Sequence, residues 1–180
     1  MVRGSRTIRS GKKHKLSEPL TGVERNELSH NNSIEMNIEI ITQKLELTIY
    51  GFSGIAANKD YGGTAFKLSG KMWQAVKENN IKNKGKNIWV YEPNDKVFAG
   101  VELDNISNTY SILEQKNITL IKYAYYKHIG SYNLLKQVGT NMRNELKSNG
   151  LETGLPYIEI YGHWTNDESK CETELLICLV

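Results

Sequence analysis

The stretch "NIWVYEPNDKVFAGVEL", Asn87 to Leu103, decides the fold. Two runs rich in β-branched and aromatic residues flank Pro93-Asn94-Asp95, which reads as a turn, so the segment predicts a β-hairpin. It can be laid on a second segment, "IEIYGHWTNDESKCETELLICL" from Ile158 to Leu179, with Ile88 over Ile158, Val90 over Ile160 and Tyr91 over Tyr161. In that register Trp89 sits over Glu159. Side chains alternate along a strand. Ile88, Val90, Ile158 and Ile160 therefore form one face, read as the face that packs on helices. Trp89, Tyr91, Tyr157, Glu159 and Tyr161 share the other, read as the face of a cleft.

Outward from the hairpins, each half repeats one order of elements. "KLELTIYGF" (Lys44–Phe52) alternates and predicts a strand, which Gly62-Gly63 ends. A helix follows, with Thr64 as N-cap and Ala65, Leu68, Met72 and Val76 on its apolar stripe. In the second half, "ITLIKYAYYKHIG" (Ile118–Gly130) predicts one aromatic-rich strand. Ser131 then caps a helix carrying Leu135, Val138, Met142 and Leu146, and Gly150 ends it. The fold class is thus α+β: a duplicated βαββ repeat over residues 37–104 and 117–180. It has pseudo-twofold symmetry, an antiparallel sheet, two helices and a central ligand cleft.

Composition narrows the function. The net charge of +3 is carried by residues 1–36, which hold seven Lys/Arg against four Asp/Glu and leave 16 of each sign for residues 37–180. The first 36 residues read as a basic, disordered leader without a secretory apolar segment. The neutral body carries no electrostatic footprint for nucleic acid, so direct DNA binding by it is not expected. No apolar run is long enough to span a membrane. Cys171 and Cys178 lie seven apart in one predicted strand, on opposite faces, which reads as two reduced thiols and a cytoplasmic location. His128, His163 and the cysteines lack metal-ligand spacing, and no phosphate loop or nucleophile elbow occurs, so neither metal nor cofactor is expected.

The chemistry concentrates on the aromatic face. Glu159 is bracketed by Tyr157 and Tyr161, and Trp89, Tyr91 and Trp164 come from the equivalent hairpins. Tyr123 and Tyr125, from the strand opening the second half, are assigned to the same cleft. A carboxylate among aromatic rings is costly to bury alone and becomes useful when a ligand brings positive charge, to which ring faces add cation–π attraction. Glu92 and Glu102 are candidates for a second acidic group.

The residues also match a pattern: aromatic–x–x–x–x–His–x–Gly–x–Tyr, a helix, Gly-x-Pro, then Glu-x-Tyr. It is met by Tyr123, His128, Gly130 and Tyr132, then by Gly154, Pro156, Glu159 and Tyr161. In this the chain resembles, over residues 37–180, the effector-binding domains of the GyrI-like superfamily, which occur in bacterial multidrug-responsive transcription activators and as stand-alone proteins. The resemblance implies a module binding lipophilic, often cationic, small molecules between the repeats, with the key acid on Glu159, acting as sensor or sequestering protein. It also admits a hydrolase of reactive lipophilic toxins, with Glu159 activating water and Tyr123 orienting the substrate or donating a proton. A third reading is a protein-interaction module, like the family's topoisomerase-inhibiting namesake, with a regulatory protein as partner.

Overall fold

The computed structural model describes residues 36–104, 112–163 and 165–180; all of the basic leader but Met36, and Trp164, lie outside the described residues. Strands β3 (Asn87–Tyr91) and β4 (Lys96–Val101) form the expected hairpin. Asn94 and Asp95 both adopt positive φ, and Lys96 N–H donates to Pro93 O at 3.4 Å. That pair of left-handed residues is what a two-residue hairpin turn requires, and Asn and Asp tolerate it better than most residues.

The remaining elements are β1 (Glu39–Ile41), β2 (Leu45–Ile55), α1 (Tyr61–Glu78), β5 (Glu114–Leu120), β6 (Tyr123–Ile129), α2 (Leu135–Ser148), β7 (Thr153–Tyr161) and β8 (Glu172–Leu179). Helix α1 starts three residues before the expected cap, because Asp60 rather than Thr64 accepts from Gly63 N–H at 3.0 Å. Helix α2 follows a 3₁₀ turn over Tyr132–Leu134 whose entry Ser131 caps. It ends in a Schellman motif: Gly150 has φ of 71°, Gly150 N–H donates to Lys147 O, and Leu151 N–H donates to Leu146 O. Both expected helical stripes are buried, save that Val138 is half-buried.

Among the described residues the strands form one antiparallel sheet of eight, in the order β1-β6-β8-β7-β3-β4-β2-β5. The order is symmetric about the β7–β3 pair. Each half contributes three consecutive strands to one side, and its leading strand crosses over: β1 pairs with β6, and β5 pairs with β2. The single strand expected over Ile118–Gly130 is therefore two. It breaks at Ile121-Lys122, and its parts lie near opposite edges of the sheet.

That break fixes the shape of the sheet. Six strand spacings of about 4.8 Å would separate β5 from β6 by roughly 29 Å if the sheet were flat. Leu120 and Tyr123 are joined by only two residues, which reach at most about 11 Å. The sheet must curl on itself. Its inner face is lined by Ile49, Ile88, Val90, Ile118, Leu120 and Ile158, all buried although neither helix lies on that side. Each contributes about 1.5–3 kcal/mol of burial.

Both helices sit on the outer face. Ala65, Leu68 and Met72 of α1 pack on Val97, Ala99 and Val101; Leu135, Met142 and Leu146 of α2 pack with Ala124, Leu175 and Ile177. This corrects the sequence reading. Ile88, Val90 and Ile158 belong to the curled inner core, and the aromatic face is the one the helices flank. The strands are apolar on both faces, and only the curl decides which face takes the helices.

Candidate functional site

Helix α1 packs over β2 and β4, and α2 over β6 and β8, so the central strands β3 and β7 form the floor between the two helices. Trp89 faces Glu159 directly across the two strands, and Tyr91 faces Tyr157. Above this floor lies an open cleft of about 1490 Å³, walled by α1 on one side and α2 on the other. A smaller hollow of about 360 Å³, at the far end of α2, holds neither an aromatic ring nor a buried carboxylate.

Glu159 is only 7% exposed. Its Oε1 accepts from Tyr157 Oη at 3.0 Å, and its Oε2 accepts from Tyr161 Oη at 2.7 Å and Tyr91 Oη at 2.8 Å. The i±2 spacing of Tyr157 and Tyr161 puts them on the same strand face as Glu159, and Tyr91 reaches in from the paired strand. Among the described residues no basic group forms an ion pair with this carboxylate. Burial, then the charge of Glu159, holds the Tyr91, Tyr157 and Tyr161 hydroxyls far above the usual phenol range. All three are therefore proton donors at any ordinary pH.

The same rings build the walls. Tyr91 stacks on Tyr157 with centroids 5.4 Å apart, and Trp89 leans on Tyr161 at 4.6 Å. Tyr132 meets Tyr161 edge-on at 5.3 Å, and Tyr61 meets Tyr91 edge-on at 6.2 Å. Tyr61 is itself held by a hydrogen bond to Asp95 in the hairpin turn. Gly139 of α2 makes the close approach possible, since a Cβ there would lie 3.2 Å from Tyr157 Oη.

Of the residues read from the sequence, Glu159, Tyr157, Tyr161, Trp89 and Tyr91 come together here. Tyr123 and Tyr125 do not. Both are in β6 at positions facing inward, packed with Ile88, Val90 and Ile158 on the opposite side of the sheet. The strand's parity thus sets Tyr123 on the face of the sheet opposite Glu159. Glu92 borders the cleft but pairs with Lys116 at 2.7 Å, and Glu102 pairs with Lys84 at 3.0 Å. Sequence reasoning missed Tyr61, Phe66 and Trp73 on α1, and Tyr132 and Arg143 on or before α2. Only Tyr132 had a signal, as the last residue of the aromatic–His–Gly–Tyr pattern.

Neither family models nor curated proteins give a match to the chain. Solved structures do. The C-terminal domain of EcmrR superposes with a TM-score of 0.62 at 16% identity, over 81% of this chain and 99% of that one. A Staphylococcus aureus MU50 protein assigned to transcription regulation gives 0.51 at 18%, covering 81% and 99% of the two chains. SAV2435 bound to tetraphenylphosphonium gives 0.52 at 18%, covering 81% and 94%. The chain shares the fold of these structures, in keeping with the α+β sheet and two helices expected from its resemblance to GyrI-like effector-binding domains.

Proposed function

We propose that the cleft captures lipophilic cations, with Glu159 supplying the charge and Trp89, Tyr91, Tyr157 and Tyr161 the stacking surfaces. The protein then serves in the cytoplasm as a sensor or a sequestering module for such compounds. The observation that carries this reading is the carboxylate itself. It is buried and bonded by three phenols, yet unmatched by any cation among the described residues. Charge-assisted hydrogen bonds of about 1.5–3 kcal/mol each offset its desolvation without neutralising it. A permanent cation entering the cleft would complete the pair and displace water from the rings, each adding about 0.5–2 kcal/mol of cation–π attraction.

Tetraphenylphosphonium, bound by a protein of the same fold, is a suitable probe because it has charge and rings but no hydrogen-bonding group. Titration monitored by quenching of the Trp89 indole is expected to saturate. Glu159→Gln, which keeps the shape while its amide oxygen accepts from phenols on one side and its NH2 donates to phenol oxygens on the other, is expected to weaken binding by at least about tenfold, ~1.4 kcal/mol. An unchanged titration curve for the folded variant would remove charge recognition from the proposal.

A further inference from the structure

The two walls of the cleft differ in kind. Along α1 the cleft is lined by Gly62, Phe66, Ser69 and Trp73, an apolar and small-residue surface, with Lys59 and Asp60 together at the entry to the helix. On α2 it is lined by Lys136, Gly139, Thr140 and Arg143, spaced so that they form one stripe along the helix. Lys136 and Arg143 thus stand two turns apart on one wall, both facing the cleft. Among the described residues neither takes part in an ion pair. The acids of the cleft leave them none: Asp60 caps α1, Glu92 is matched by Lys116, and Glu159 is held by the phenols.

Arg143 is not a loose surface side chain. Its guanidinium lies 4.6 Å from the centre of the Tyr157 ring, and Nη1 donates to Gly139 O at 3.2 Å. Tyr157 therefore carries a carboxylate at its hydroxyl and a cation on its face. Through one ring the cleft presents a fixed negative site and a fixed positive site. The floor adds a donor in need of an acceptor, since Trp89 Nε1 is buried with no partner among the described residues.

A pure lipophilic cation would satisfy Glu159 and leave the α2 wall repelling it. We propose that the preferred ligands are zwitterionic aromatic compounds, with a cationic centre against Glu159 and a carboxylate against Arg143 and Lys136. This rests on the cleft being the ligand site and on Glu159 receiving the positive end. A guanidinium already oriented by a ring and a backbone carbonyl suits a planar carboxylate, which it can bind through two parallel hydrogen bonds. Lys136, a point charge two turns along the same stripe, adds attraction without fixing orientation.

The test uses the full chain and one xanthene dye in two forms: its ethyl ester, a monocation, and its free acid, a zwitterion. The acid is expected to bind at least about fivefold tighter than the ester at low salt, the preference shrinking as salt screens the α2 wall. Arg143→Gln is expected to weaken the acid by about fivefold or more and to strengthen the ester, because one removed charge acts on the two dyes with opposite sign. Lys136→Gln is expected to shift both in the same senses by a smaller factor. Arg143→Lys should keep part of the preference for the acid. Equal affinities for the two dyes, or tighter ester binding, would overturn the proposal while leaving cation capture standing. So would an Arg143→Gln variant that weakens both dyes by the same factor, the mark of a merely structural arginine. If neither dye binds, or if both bind and Glu159→Gln weakens neither, cation capture falls and this inference with it.

Discussion

At the scale of single residues the site is a buried carboxyl group hydrogen-bonded by three phenols rather than paired with a base. Tyr91, Tyr157 and Tyr161 are held protonated by burial and by the charge of Glu159, and their pKa values stand well above the ordinary 10.0. Their contribution to stability is complete below that pH. Above it the unfolded chain releases protons that the folded chain retains, so stability falls as pH rises. An alkaline absorbance titration is expected to leave three of the ten tyrosines un-ionised until the fold itself is lost. Ionisation of all ten in a single reversible step of the folded protein would contradict the phenol triad. The triad was partly legible in the sequence. The Tyr-x-Glu-x-Tyr alternation puts two of its phenols on one strand face with Glu159 whatever the fold, and the pairing of β3 with β7 adds Tyr91. Arg143 was not legible, because its place depends on which side of α2 meets the sheet.

At the scale of elements, the hairpins and helices followed from local chemistry, and the errors arose where another part of the chain decides. Nothing in "ITLIKYAYYKHIG" marks a break, for it holds no internal glycine or proline. The strand divides because β2 and β8 each claim a partner from it, at different edges of the sheet. Tyr123 and Tyr125 fall on the inner face for a related reason: β6 is hydrogen-bonded on both sides and its inward positions are aromatic too. Helix α2 comes close enough to lay Arg143 on Tyr157 because Gly139 has no side chain at the contact. Gly139→Val is expected to cost about 1–3 kcal/mol from overpacking, read by urea unfolding. It should also weaken ligand binding, since the branched side chain pushes α2 from the floor. A variant with full stability and full affinity would show that the helix has room to spare at this point.

At the scale of the whole molecule, core and cleft occupy opposite faces of the same strands. Ile158 is fully buried inside the curl while its neighbours Tyr157 and Glu159 face the cleft. Ile158→Ala is expected to cost about 2–5 kcal/mol of unfolding free energy. Ligand affinity of the folded fraction is expected to stay within about twofold, because no cleft atom is removed. A loss of affinity as large as that of Glu159→Gln would mean that the two faces are mechanically coupled. The curl itself was beyond sequence reasoning, which saw two apolar faces and had no measure of the distance between β5 and β6. The symmetry of the strand order has one more consequence. Its axis runs through the Trp89–Glu159 pair, where each residue is opposed by its own counterpart. Unlike residues there leave one carboxylate where a perfect dyad would set two face to face in mutual repulsion. On the proposed reading of the cleft, a single carboxylate calls for one cationic guest per chain, held in one orientation.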